Sequence, residues 1–127
     1  MSSEQRPKFD STGMTQWHWK VLHKENFILG NNTQIGSFTV IDAENGVTIE
    51  DDVKIGWNCT IMSYSSIDRK SGRVILNKNS KIGANSVIFP NITIGENSVI
   101  GANSLVNRNI PPNEIWAGTP AKKIRNL

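Results

Sequence analysis

The stretch "KIGANSVIFPNITIGENSVIGANSLVNRNIPPNEIWAGTPAKKIR", Lys81–Arg125, decides the fold of this chain. Within it a large aliphatic residue returns at every sixth position, at Ile82, Ile88, Ile94, Ile100 and Val106. An α-helix would repeat its apolar residues about every 3.6 positions, and this pattern has no such period. A fixed internal period instead indicates a repeat architecture.

The same period extends towards the N-terminus. The aliphatic column continues at Leu29, Ile35, Ile41, Ile49, Ile55, Ile61, Ile67 and Leu76. The steps from Ile41 to Ile49 and from Ile67 to Leu76 are longer than six, and we interpret them as loop insertions. A small or modest side chain precedes most aliphatic positions by two, glycine often follows by one, and asparagine often follows by three.

Each of these positions has a physical reason. Successive residues of a strand point to opposite faces, so the aliphatic residue and the small residue two before it share the interior. Asparagine and glycine adopt the left-handed backbone conformation most cheaply, which suits a corner. Six residues therefore make one short strand and one corner, and three such units make one flat-sided coil. Coils of this kind stack about 4.8 Å apart with their strands in parallel.

From Leu29 to Leu127 the chain resembles the hexapeptide-repeat acyltransferases. The resemblance is carried by Lys81–Arg125, whose ending of two prolines followed by AGTPAKKIR is a hallmark of that family. It implies an all-β chain folded as a left-handed parallel β-helix. The left-handed sense rests on the resemblance alone, because parallel crossovers elsewhere are almost always right-handed. We expect an N-terminal cap at 1–28, the β-helix at 29–110 and a coenzyme-facing tail at 111–127.

The resemblance also implies acyl transfer from acetyl-coenzyme A or another acyl-coenzyme A, with no metal, in a homotrimer whose active sites lie between subunits. Motif by motif, Ala84 and Ala102 match positions whose backbone meets the pantetheine amides. Asn107 and Arg108 match a pair near the adenosine end. Basic positions of the tail that face the coenzyme's phosphates are matched by Lys122 and Arg125.

The loop before the last repeats departs from many O-acetyltransferases of the family, which carry a catalytic histidine there. Here the loop reads IMSYSSIDRKSGRVIL, and it contains no histidine. By the six-residue register Ser65 points inward, which leaves Tyr64, Ser66 and Asp68 as the exposed polar candidates for the catalytic site. Several sugar N-acyltransferases of this fold have similar loops of the type YS-x-SID.

The missing histidine favours an amine over an alcohol as acyl acceptor. An alcohol normally needs a general base, whereas a neutral amine attacks unaided and the departing thiolate can take the proton. We therefore predict N-acylation of an amino sugar, most plausibly a nucleotide-linked one, with Ser66 and Asp68 orienting the amine. Two alternatives stay open: an O-acetyltransferase that takes its base from His18 or His23, and a β-helix scaffold without catalysis. A γ-class carbonic anhydrase would need three histidine ligands in the repeats, which hold none.

Composition sets further bounds. The single cysteine, Cys59, excludes an intramolecular disulfide, and the sequence has no apolar signal core or membrane span, so we expect a cytoplasmic protein. Residues 67–127 carry nine Lys/Arg and three Asp/Glu, net +6, but no basic run is interleaved with aromatic residues as in nucleic-acid binders. The tryptophans at 17 and 19 are interpreted as packing over the open N-terminal end of the coil, rather than stacking on substrate.

Overall fold

The computed structural model describes residues 6–127, which form a left-handed parallel β-helix of short strands, as predicted. The first coil contains β1 (Lys20–Leu22), β2 (Phe27–Leu29) and β3 (Gln34–Ile35), with a 3-10 turn at Lys24–Asn26. The second contains β4 (Val40–Asp42), β5 (Val47–Ile49) and β6 (Lys54–Ile55). The third contains β7 (Thr60–Met62), the hairpin strands β8 (Tyr64–Ser65) and β9 (Lys70–Ser71), β10 (Val74–Leu76) and β11 (Lys81–Ile82). The fourth contains β12 (Val87–Ile88), β13 (Thr93–Ile94) and β14 (Val99–Ile100), and the last contains β15 (Leu105–Val106), β16 (Glu114–Gly118) and β17 (Ala121–Asn126).

Equivalent strands of successive coils pair into three parallel faces. Face A contains β1, β4, β7, β12 and β15; face B contains β2, β5, β10 and β13; face C contains β3, β6, β11, β14 and β16. The last strand, β17, turns back antiparallel to β16 and ends the sheet. Two of the three edges between the faces matter for function. We call the edge between A and B the hairpin edge, because β8 and β9 project there, and the edge between C and A the alanine edge, because it carries Ala84 and Ala102.

The interior follows the predicted columns with one clear error. Eleven of the thirteen aliphatic positions are buried. The small or modest side chains two before ten of them are buried as well: Thr33, Thr39, Val47, Val53, Cys59, Val74, Ser80, Ser86, Ser98 and Ser104. Leu29 is only half-buried, and Ile67 is 94% exposed at the end of the hairpin. The chain leaves the β-helix after Ser63, which is fully buried, and returns to it at Val74. The register prediction for this loop, with Ile67 and Ser65 inside, was therefore wrong.

The corners have the predicted left-handed backbone. Positive φ angles occur at Asn32, Asn58, Asn79, Asn85, Asn91, Asn97 and Asn103. Their side chains also bond to each other between coils: Asn58 donates to Asn85 at 3.1 Å, and Asn85 donates to Asn103 at 2.9 Å. Asn109 is not left-handed, and its Oδ1 accepts from the backbone N–H of Thr93 instead.

The N-terminal end of the coil is filled by aromatic packing. Trp19 is 1% exposed and meets Phe9 and Phe27 edge-on, with ring centroids 6.0 and 6.3 Å away. Packing was the predicted role for this tryptophan, and the structure confirms it. Trp17 is partly buried and also packs against the core. The division at residues 28 and 110 stays a prediction. No helix within 6–127 has the length and apolar character that crossing a membrane requires.

Candidate active site

Ala84 and Ala102 lie one above the other on the alanine edge. The backbone N–H of Asn103 donates to the carbonyl of Ala84 at 2.8 Å, which ties the two corners together. A Cβ added at Gly83 would collide with the backbone nitrogen of Ala102, so the glycine lets the coils approach closely here. Both alanines are exposed. The edge therefore presents two exposed corners whose side chains at positions 84 and 102 are only methyl groups.

Tyr64, Ser66 and Asp68 all lie on the hairpin, and all three are exposed. Strands β8 and β9 pair antiparallel through Tyr64–Ser71 and Ser65–Lys70. A hydrogen bond from the Ser65 hydroxyl, aided by the nearby Lys70 ammonium, lowers the pKa of the Asp68 carboxyl. The Lys70 Nζ lies 3.8 Å from Asp68 Oδ2. Asp68 is therefore held as an anion, which suits it to attract an amine and makes it a weaker proton acceptor.

The hairpin is anchored to the next coil at Gly72. The backbone N–H of Asn91 donates to the carbonyl of Gly72 at 3.1 Å, and the side chain of Asn91 occupies the space that a Cβ on Gly72 would need. Gly72 has a φ of +149°, which also disfavours other residues. The position of Tyr64, Ser66 and Asp68 relative to the coil therefore depends on this glycine.

Basic residues gather at the C-terminal end of the coil, where the hairpin edge meets strand β17. Asn107, Arg108 and Lys122 line one cleft of about 300 Å³ together with Trp116 and Lys123. A second cleft of about 530 Å³ also contains Asn107 and Arg108, and its opposite wall is the hairpin residues 69–71. Of the predicted coenzyme residues, three thus come together here. Arg125 lies on β17, exposed, with its guanidinium donating to the carbonyl of Asn126 at 3.0 Å.

The predicted coenzyme residues are spread over two edges of one chain: Ala84 and Ala102 lie on the alanine edge, and Asn107 and Arg108 lie on the hairpin edge. The turn before Lys122 is bonded to the alanine edge, where the Thr119 hydroxyl donates to the carbonyl of Asn103 at 3.2 Å. Strand β15 separates Ala102 from Asn107, and the five residue steps from one to the other span at most roughly 16 Å at the rise of an extended strand. The register argument could not show this separation, because it treats all corners alike. It also missed Arg69 and Lys70, which line the second basic cleft although they follow directly after the candidate Asp68.

One group of potential metal ligands occurs within residues 6–127. One ligand atom each from His23, Asp42 and Glu44 lies within 4.8 Å of the others, on the hairpin edge of the first two coils. His23 and Glu44 are exposed, and the His23 Nδ1 also lies 3.6 Å from Glu25. Exposed carboxylates often group in this way without an ion, so this cluster alone does not indicate a metal site.

Two protein-family models match the chain. Residues 27–63 match "hexapeptide repeat of succinyl-transferase", and residues 73–108 match "bacterial transferase hexapeptide (six repeats)". The gap between the two matches is the segment with the hairpin. Together with the stacked coils, the buried columns and the C-terminal tail, these matches show that the chain belongs to the hexapeptide-repeat acyltransferase family.

Individual relatives agree with this assignment. A UDP-3-O-acylglucosamine N-acyltransferase of Methylorubrum extorquens is 33% identical over 122 residues, covering 85% of this chain and 34% of that protein. The chain thus spans about a third of the length of this curated relative. A hexapeptide-repeat acetyltransferase from Vibrio cholerae, solved with acetyl coenzyme A, has a TM-score of 0.79 and 28% identity over 86% of this chain and 64% of that one. A galactoside acetyltransferase in complex with coenzyme A has a TM-score of 0.76 and 31% identity over 85% of this chain and 58% of that one.

Proposed function

We propose that this chain transfers an acyl group from acyl-coenzyme A to the amine of an amino sugar, most plausibly one linked to a nucleotide. Acyl transfer is supported by the family and by relatives solved with the coenzyme. The choice of an amine rests on one observation: the hairpin that carries the candidate polar residues has no histidine. The lowered pKa of the Asp68 carboxyl agrees with this choice, because it makes Asp68 a weaker base.

The pantetheine arm lies along the alanine edge in this proposal. The exposed corners at Ala84 and Ala102 carry only methyl side chains, so the pantetheine amides can approach their backbone closely. The nucleotide end lies at the basic cleft of Asn107, Arg108 and Lys122, with Arg125 adding charge on the last strand. Cations there offset the phosphate charge of the coenzyme.

The acceptor amine is oriented by the hairpin. The Asp68 carboxylate, which is an anion, attracts the acceptor amine. The hydroxyls of Ser66 and Tyr64 offer hydrogen bonds to the amine or to the sugar. The attack forms the C–N bond of the amide and breaks the C–S bond of the thioester. The departing thiolate of the coenzyme accepts the proton that the amine loses, so no side chain has to act as the indispensable base.

A homotrimer completes the site in this proposal. Because Arg108 and the hairpin lie on a different edge from Ala84 and Ala102, adjacent copies that pack edge to edge bring the two alanines of one copy beside the hairpin and Arg108 of the neighbour. Such a contact joins two different surface patches, so the copies form a closed ring only if the rotation between neighbours is a simple fraction of a full turn. The flat faces of a three-sided coil suit three-fold packing. The cytoplasmic location remains a prediction.

A sugar O-acetyltransferase is the second candidate, and one observation favours it. His23 lies on the hairpin edge of the same chain, beside Asp42 and Glu44, whose carboxylates can hold an imidazole in one tautomer. This arrangement would supply the base that the hairpin lacks.

The experiment that separates the two candidates uses paired acceptors. The chain is incubated with acetyl-coenzyme A and either nucleotide-linked amino sugars or the same sugars with a hydroxyl in place of the amine. The proposal predicts release of free coenzyme thiol only with the amino sugars. Turnover of the hydroxyl sugars that disappears in His23→Ala would favour the second candidate. No turnover of either set, together with no binding of coenzyme A, would favour a β-helix scaffold without catalysis.

A further inference from the structure

A cleft of about 470 Å³ opens at the N-terminal end of the alanine edge. Its walls include Trp17 from the N-terminal cap, Gln34 and Ser37 from the first coil, and Trp57 from the second. Gly36 and Gly56 lie in its lining between these side chains. The volume falls in the range of small-molecule sites, roughly 300–1,000 Å³. None of these residues is part of the site predicted from the sequence.

Three tryptophans line the cleft: Trp19 is buried in the core, Trp17 is partly buried and packs against that core, and Trp57 is exposed. Trp57 is 70% exposed, and no ring–ring contact within residues 6–127 involves Trp17 or Trp57. Neither indole N–H donates a hydrogen bond to another described residue. The ring of Trp57 lies against Gly36, where a Cβ would collide with its Cδ1. The chain therefore holds an aromatic surface in place and leaves it open.

The cap loop is fixed to this edge by hydrogen bonds. The Ser37 hydroxyl donates to the carbonyl of Trp17 at 2.9 Å, and the backbone N–H of Phe38 donates to the carbonyl of His18 at 2.7 Å. The Trp17 wall is therefore attached to the first coil, and the cleft is preformed.

Polar groups beside the aromatic surface narrow the kind of ligand. The side chain of Gln34 makes no hydrogen bond with the described residues, so its amide has both a donor and an acceptor available. Lys54 does not line the cleft but is the cross-strand partner of the lining residue Gln34 on face C, and no carboxylate among residues 6–127 lies within ion-pair distance of it. Stacking surface, amide and cation together match a nucleotide: a planar base, its hydrogen-bonding edge and its phosphate.

The position of the cleft separates two possible nucleotides. Ala84 follows Trp57 on the next coil of the same edge, and Ala102 follows Ala84. The basic cleft proposed for the coenzyme's own nucleotide belongs to the last coil, three coils from Trp57 and therefore roughly 14 Å further along the axis. The aromatic cleft thus lies at the opposite, acyl end of the proposed pantetheine path along the alanine edge.

We propose that this aromatic cleft binds the nucleotide portion of the acyl acceptor, with the base stacked on Trp57 and Trp17, its edge bonded to Gln34 and its phosphate near Lys54. The inference rests on the proposed function, because it assumes a nucleotide-linked acceptor. It adds the residues that recognise that nucleotide.

Calorimetric titration of the full chain tests this without any acyl transfer. The probes are UDP, dTDP and 3′,5′-ADP, the last standing for the nucleotide of the coenzyme. We expect UDP or dTDP to bind, and Trp57→Ala to weaken that binding roughly 5- to 150-fold, the range for loss of one aromatic stacking partner. Lys54→Gln should weaken the binding of the nucleoside diphosphate more than the binding of the corresponding nucleoside. Binding of 3′,5′-ADP should be unchanged by either substitution.

Phe38→Ala is the matched control, since Phe38 is 71% exposed on the same edge but does not line the cleft. UDP and dTDP that bind equally well to the wild type and to Trp57→Ala would overturn the proposal. Trp57-dependent binding of 3′,5′-ADP alone would assign the cleft to the coenzyme instead. If no nucleotide binds, and Trp57→Ala and Phe38→Ala both lower the oligomer mass in light scattering, the cleft is covered by a second copy and the proposal fails. Failure of acyl transfer with nucleotide binding intact would contradict the proposed function alone.

Discussion

Replacing Ile94 and Ile67 by alanine makes the same chemical change at two positions that the sequence places in one column and the structure places in opposite environments. Ile94 is fully buried, pairs with Leu76 on the coil before it and forms a bridge with Ile110 on the coil after it. Ile67 is 94% exposed. The comparison therefore tests where the chain leaves the coil.

The expected difference follows from burial. Alanine lacks three carbons of isoleucine, which at about 0.8 kcal/mol each gives a transfer loss of about 2.4 kcal/mol. The cavity left in a stacked column adds to this, so Ile94→Ala should cost roughly 2–5 kcal/mol. For a chain of this size that corresponds to a fall in Tm of roughly 6–20 °C. Ile67→Ala should change stability by less than about 0.5 kcal/mol.

Thermal unfolding of both variants by circular dichroism, at equal protein concentration, measures the difference. Light scattering alongside it checks that both variants have the same oligomeric state, because association contributes to Tm. Equal losses in the two variants would refute the hairpin boundary at Ser63 and would restore the register in which Ile67 belongs to the core.

Three further outcomes follow from the site. Lys122→Ala combined with Arg125→Ala should raise the KM for acyl-coenzyme A and leave the acceptor KM nearly unchanged. Phosphate contacts far from the thioester stabilise the ground state and the transition state equally, so their loss weakens binding without slowing the chemical step. An unchanged coenzyme affinity would show that neither residue belongs to the site. Asp68→Asn should act mainly on the acceptor KM. Because the pKa of Asp68 is lowered, the wild-type side chain stays ionised in mild acid, so the limb of the rate profile that rises with pH should follow deprotonation of the acceptor amine and persist in the variant. His18→Ala and His23→Ala should each lower the turnover rate by far less than the roughly 10²–10⁴-fold that general acid–base catalysis contributes. A variant that binds both substrates but shows no turnover would contradict this.

The repeat itself could be read from the sequence because its signals are local. A buried aliphatic residue, a small residue two before it and an asparagine at the corner each satisfy a short-range requirement of strand alternation or left-handed backbone. The cross-coil bonds from Asn58 to Asn85 and from Asn85 to Asn103 follow once the corners align.

The hairpin could not be placed in this way. Ile67 follows Ile61 by six residues, so it fits the period by coincidence, and the sequence gives no sign that the chain departs at Ser63. The antiparallel pairing of Tyr64 with Ser71 and the contact of Gly72 with Asn91 join positions that the six-residue period does not relate. The exposure of Tyr64, Ser66 and Asp68 was predicted, although the register that motivated it was wrong.

The aromatic cleft depends on a contact that is distant in the sequence. The six-residue period predicts that Trp57 lies at a corner, but it does not predict which residues lie beside its ring. Trp57 becomes one wall of a cleft because the cap loop at Trp17 is bonded to Ser37 on the coil below, twenty residues away. Tryptophans near the end of a solenoid are expected to pack, and Trp19 does, so composition alone could not separate the two roles.

Acyl transfer to an amine is the central claim, and one measurement tests it most directly. The chain is mixed with acetyl-coenzyme A and a nucleotide-linked amino sugar, thiol release is followed, and the product is identified by mass spectrometry before and after alkaline hydroxylamine. We predict thiol release that requires the amino sugar and a product whose acetyl group resists hydroxylamine, as an amide does. An acetyl group removed by hydroxylamine, or thiol release only with a hydroxyl acceptor, would contradict the account.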